Sequence, residues 1–200
     1  MSVKLTGDWA RTKQVLARAP AIINAASVQS IKKEAHALRA EMIKGITRQA
    51  PGGAQFTPLS ELTLAIRKMR GFSGSKALID RGDLRNAINV IFRHGGTSAF
   101  IGVPRKARSK KKGPMIDVAK VHEFGAGPFI IPKTDKMRRF IFAALKAGGI
   151  KPESNGTRRS GVVVINIPAR PFIRPAFHKY SKEGFKRFQK EFSRRLNFSG

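Results

Sequence analysis

The amino-acid sequence predicts one α+β domain over residues 1–200, with a long N-terminal helix, a small, mostly antiparallel sheet with long basic loops, and a C-terminal helix. Three observations carry that prediction. Apolar residues recur at steps of three and four near both ends, runs rich in β-branched and aromatic residues occupy the middle, and Gly/Pro-rich turns separate the two patterns. With 41% hydrophobic and 26% charged residues, the chain has the composition of a globular protein able to bury a core.

Residues 1–50 read as a helical arm. Val28, Ile31, Ala35, Leu38 and Met42 share one face, Pro20 opens or interrupts the helix, and Gly45 with the APGG at 50–53 stops it. The connection over 50–76 holds a short helical piece at 59–69 (Leu59, Leu62, Ile66, Met69), and its length suits a functional loop or one that reaches a neighbour.

The sheet core is expected over 77–168. Arg81-Gly82-Asp83 forms a turn with Asp83 capping, Ile88, Val90 and Phe92 alternate with Asn89, Ile91 and Arg93, Gly95-Gly96 turns, and 98–103 returns as a second strand. The run at 104–114, with Arg105, Lys106, Arg108, Lys110, Lys111 and Lys112, predicts a solvated or partner-bound loop. Residues 117–125 predict a short helix ended by Gly125. Residues 129–132 and 161–168 are strand candidates, whereas 137–145 fits strand or helix.

The last element, 173–197, is a helix with two faces. Phe177, Phe185, Phe188, Phe192 and Leu196 cluster on one, as core or as a subunit contact. Lys182, Lys186, Lys190 and Arg194 form an i, i+4 ladder on the other, facing water or a polyanion.

Forty Lys and Arg oppose twelve Asp and Glu, a formal charge of +28. Such a chain repels itself as a monomer and favours polyanions or acidic neighbours. Nucleic-acid binding is therefore one reading of the basic run, through phosphates and without sequence preference. Cysteine is absent, so no disulfide or thiolate metal site is expected. The first residues lack the apolar stretch of an export signal, and no run reaches the ~20 apolar residues of a bilayer span.

His122-Glu123 is the one pair that invites catalysis. A zinc hydrolase motif needs a second histidine at 126, where Ala stands, so packing at a helix end is the expectation and no metal or other cofactor is implied. In IPARPFIRP, Pro168, Pro171 and Pro175 turn the chain out of the last strand into the C-terminal helix. Phe172 is placed to plug the core, with Arg170 and Arg174 projecting nearby, either structurally or towards a neighbouring subunit.

Several segments, in order, resemble the phage virion morphogenesis and tail-completion proteins. They are APGGAQFTPLSELTLAIRK, with Phe56 where Trp is common, then LIDRGDLRNAI, AKVHEFGAG (His122, Glu123, Phe124, Gly125) and NIPARPFIRPAF (Pro168, Arg170, Pro171, Phe172). FIIPKTDKMRRF is similar to a segment of related minor tail and head–tail joining proteins. The likeness runs from about residue 28 onward, with 104–114 and 148–160 as insertions. The resemblance implies a non-enzymatic virion part at the head–tail junction, a tail-completion or neck protein made in the host cytoplasm. It implies a homo-oligomeric ring, six-fold, that touches tail-tube or terminator and connector proteins and, non-specifically, genome DNA, with no membrane partner. The rival reading is a stand-alone basic nucleic-acid-binding protein.

Overall fold

The computed structural model describes residues 7–72, 74–109, 113–151 and 161–196. Helix α1 spans Trp9–Arg48 without a break, Pro20 included. Asp8 caps its start by accepting the Arg11 N–H, and Gln49, with φ 61°, closes its end. Ala26, Ser30, Ala35, Leu38, Met42 and Ile46 are buried, while the turns before Asn24 stand almost wholly in solvent.

The short helix in the connection is α2, Glu61–Met69, started by the Ser60 hydroxyl. A one-turn helix α3, Asp83–Asn86, leads into the antiparallel pair β1 (Asn89–Arg93) and β2 (Ser98–Gly102). The cap of α3 is Gly82 at φ 82°, not Asp83. The Asp83 carboxylate instead accepts the Ser109 hydroxyl, which ties the basic excursion back to the body. Val90 and Phe92 lean inward, and Phe92 meets His36 of α1 edge-on at 5.7 Å.

The excursion is not merely a loop. Arg108–Ser109 (β3) pairs with Gly113–Pro114 (β4), because Ala107, packed on the core, accepts the Met115 N–H and closes its base. Lys110, Lys111 and Lys112 lie outside the described residues, as do 152–160 of the second insertion. Helix α4, Met115–Phe124, follows, then β5 (Ala126–Pro132), α5 (Asp135–Gly148), β6 (Val162–Ile167) and α6 (Arg174–Arg195). The ambiguous stretch 137–145 is helix. Thr134 caps it, and Met137, Phe140, Ile141, Ala144 and Leu145 keep a helical period.

The α+β class is thus the observed one, with its strands paired as three separate two-stranded antiparallel ribbons. The buried interior comes mainly from helices and connections: Leu38, Met42 and Ile46 of α1 meet Leu84, Ile88, Met115, Ala119, Phe172 and Ala176. Packing of α2 against α5 makes a smaller second layer around Ala65 and Ala144, beside the β5–β6 ribbon. No helix among the described residues is long and apolar enough to cross a membrane.

Helix α6 lies along α1 and is fastened by charge as much as by apolar contact. Tyr180 donates to Glu34 at 2.6 Å, and Arg187 stacks 4.0 Å from the Tyr180 ring centroid and reaches the same carboxylate. Burial first, then the Glu34 hydrogen bond, pushes the Tyr180 hydroxyl up to about 12. Near the far end Glu191, almost fully covered, accepts from Arg194, Lys33 and Arg195. Those hydrogen bonds, led by that of Arg194, hold its carboxyl down at about 2. Because the folded value is depressed, the stabilisation is full above the ordinary glutamate value of 4.5 and vanishes as the pH falls to about 2. The stability difference between the parent and Glu191→Gln is expected to shrink across that window in urea melts; a constant difference would refute the account.

The predicted phenylalanine face is split. Phe177 and Phe185 are 50% and 69% exposed, whereas Phe188 and Phe192 are half-buried and stack at 5.8 Å. The residues that bond to α1 are instead Tyr180, Arg187 and Glu191.

Candidate functional site

The first turn of any helix leaves backbone N–H groups without intrahelical acceptors. At α6 the residue in the cap position, Ile173, has no side-chain acceptor to offer, and Pro175 has no N–H to satisfy. A carboxylate from another helix fills the need. Glu123, in the last turn of α4 and 8% exposed, accepts Phe172 N–H at 2.8 Å and Ile173 N–H at 3.1 Å on one oxygen, and Arg174 N–H at 3.0 Å on the other. Its negative charge also sits at the positive end of the α6 dipole.

Arg170 ties in a third segment. The side chain, 6% exposed, donates from Nε to the Thr57 carbonyl at 2.7 Å and from Nη2 to the Pro58 carbonyl at 2.8 Å. Its own N–H donates to the His122 carbonyl at 2.6 Å. Burial, and then the charge of Arg67, lowers the affinity of this guanidinium for its proton. Arg170 thus binds two carbonyls of its own chain. Pro168 and Pro171 bracket it, and Phe172, fully buried, plugs the core.

Backbone fit completes the knot. Gly52, at φ 66°, lies so close to α6 that a Cβ would come within 2.5 Å of the Pro175 carbonyl oxygen. Gly125, at φ 78°, passes the main chain of Ile167 and Ala169 so closely that a Cβ would stand 3.0 Å from the Ile167 carbonyl oxygen. Phe124 turns outward, and the Arg174 guanidinium sits 5.0 Å from its ring centroid. Three segments far apart in the chain, 50–58, 122–125 and 168–175, are thereby locked at one point.

The sequence profile of the phage virion morphogenesis family matches residues 8–191, a span that includes all three locked segments. The chain belongs to the phage virion morphogenesis family. No curated protein and no solved structure matches it. Membership makes this a virion structural or assembly protein. Both Glu123 oxygens are bonded to main chain, and the His122 carbonyl accepts the Arg170 N–H. Among the described residues, no group of three His, Cys, Asp or Glu side chains is placed to hold a metal ion.

The basic residues singled out from sequence are spread over different elements. Arg105, Lys106 and Arg108 are exposed on the excursion, and Lys182, Lys186 and Lys190 are exposed along α6. Arg194 is exposed too, but bonded to Glu191. Arg105 and Lys106 join Arg93 around a groove of about 680 Å³ whose lining includes Ile91, Phe100 and Ile116. The part of Arg93 was readable only as an outward position on β1. Nothing in the sequence pattern indicated that Thr57 and Pro58 would receive Arg170, because main-chain acceptors leave no side-chain signature.

Proposed function

We propose that this family member is a non-catalytic part of the head–tail junction, a tail-completion or neck protein. Its copies form a ring, six-fold as in the proteins it resembles, set between the tail tube or its terminator and the head connector. One observation carries the reading: three of the segments that resemble tail-completion proteins meet in one knot, with Glu123 and Arg170 bonded to main chain. Such residues shape a part and leave its chemistry to charge and surface. That surface is strongly cationic, with Arg105, Lys106 and Arg108 on one exposed element and Lys182, Lys186 and Lys190 on another. Acidic faces of neighbouring subunits, or the phosphates of genome DNA passing through the ring, would offset a charge of +28.

The decisive test is genetic and visual. Phage lacking this chain are expected to accumulate filled heads and separate tails, and supplying the protein in trans restores joined particles. Intact, infectious particles in its absence would remove the junction role.

A further inference from the structure

The groove beside the basic excursion has an apolar floor between cations. Every second side chain of β1 points to one face, and Asn89, Ile91 and Arg93 all line this groove of about 680 Å³. Phe100 stands opposite Ile91 in the ribbon register, and both are 39% exposed. Gly102 leaves room for the ring, since a Cβ there would stand 3.3 Å from Phe100 Cζ. Val103 and Ile116 extend the floor.

Positive charge lies at both ends. Arg93 is four positions along β1 from Asn89, about 13 Å at ~3.4 Å per residue. Asn89 pairs with Gly102, after which the chain runs through Pro104 into Arg105 and Lys106. These three basic residues are exposed, and among the described residues none of them has an acidic partner. The lining holds no acidic residue; Asp117, next in sequence to Ile116, lies outside it. The excursion over 104–114 contributes no acidic residue either.

An occupant must bring negative charge to the ends and an apolar side chain to the middle. Duplex DNA meets basic surfaces chiefly through phosphate and sugar, which would cover Ile91 and Phe100 without an apolar partner. Single strands stack on successive aromatic rings, and Phe100 is the single aromatic among the described lining residues. A second copy of this chain is no better suited. Its twelve acidic residues are scattered, the closest in sequence being Asp80 and Asp83, and Asp83 is already bonded to Ser109. Glu34, Glu41, Glu123 and Glu191 are bonded within the chain as well.

We propose that the groove takes an acidic segment of a different protein, in which carboxylates flank an apolar side chain that rests on Ile91 and Phe100. Arg93 holds one end of the segment, and Arg105 and Lys106 hold the other. This rests on the reading above in one respect, that the partner is a virion component; the contact itself is tested with peptides alone, so either can fail without the other.

A surface-displayed random peptide library is selected on the full-length parent and, in parallel, on an Arg93→Ser/Arg105→Ser/Lys106→Ser protein. A Lys182→Ser/Lys186→Ser/Lys190→Ser protein loses as much charge from α6 and serves as the control. Circular dichroism melts verify that these substitutions leave the fold intact. The expected result is a consensus of acidic residues around an aliphatic or aromatic one. The labelled consensus peptide binds the groove variant about tenfold more weakly than it binds the parent or the α6 control. Phe100→Ser is expected to weaken it about tenfold too. The absence of a consensus from the parent, a consensus without an apolar centre, or equal losses in the groove and α6 variants overturns the contact. Duplex or single-stranded DNA that binds the parent more tightly than the consensus peptide does, and is lost in the groove variant alone, assigns the groove to nucleic acid instead.

Discussion

Glu123→Ala is expected to remove about 3–4 kcal/mol of folding stability, a large share of the roughly 5–15 kcal/mol that holds a domain folded. The loss comes from three N–H groups at the head of α6 whose carboxylate acceptor disappears in a buried place. Hydrogen bonds to a charged acceptor are worth about 1.5–3 kcal/mol each, and they do not add fully because one group serves all three. Glu123→Gln keeps one carbonyl acceptor without the charge and is expected to lose about half as much. Urea melts of the three proteins would show the graded order. A Glu123→Ala midpoint equal to that of the parent would mean that α6 is not held by this cap.

Phe172→Ala carries an effect of similar size for a different reason. The ring is fully buried among Leu38, Met42, Ile46 and Ile88, so its loss removes transfer energy and leaves a cavity, together about 3–5 kcal/mol. Phe172→Leu, which refills most of that space, is expected to cost about 1–1.5 kcal/mol. The contrast separates packing from hydrogen bonding, because both substitutions keep the Phe172 N–H on Glu123. Thermal melts with equal midpoints for the two variants would contradict the account.

Much of this fold was legible from residue pattern. The Leu38–Met42 face, the Ser60-led helix and the alternation through Val90 and Phe92 each reflect local periodicity, and local rules predict local structure. The stretch 137–145 stayed ambiguous because Phe140, Ile141 and Phe142 favour strands by type while their spacing favours helix; the Thr134 cap decides it. Asp83 misled for a related reason. Acidic residues suit helix starts, yet here Gly82 supplies the left-handed turn and frees the carboxylate for Ser109.

The site was legible by position but not by role. His122, Glu123, Arg170 and Phe172 stand in segments that resemble one family, and the structure puts those segments together. That Glu123 would cap a helix beginning 51 positions later depends on tertiary geometry, which no single-chain pattern encodes. The α6 faces show the same limit: charged Glu191 meets Lys33 of α1 while Phe185 is left 69% exposed, a pairing between distant positions that no periodicity reveals.

The plug at Phe172 also dictates when the protein can fold. The apolar face of α1 is finished once Ile46 has been made, but the ring that covers it comes roughly 130 residues later. At about 5–20 residues per second of synthesis, that face waits about 6–25 seconds beside the ribosome. Long loops close slowly and gain nothing until their far contacts form. Folding is therefore held back until most of the chain exists, and only then is the outer arm carried on a finished body.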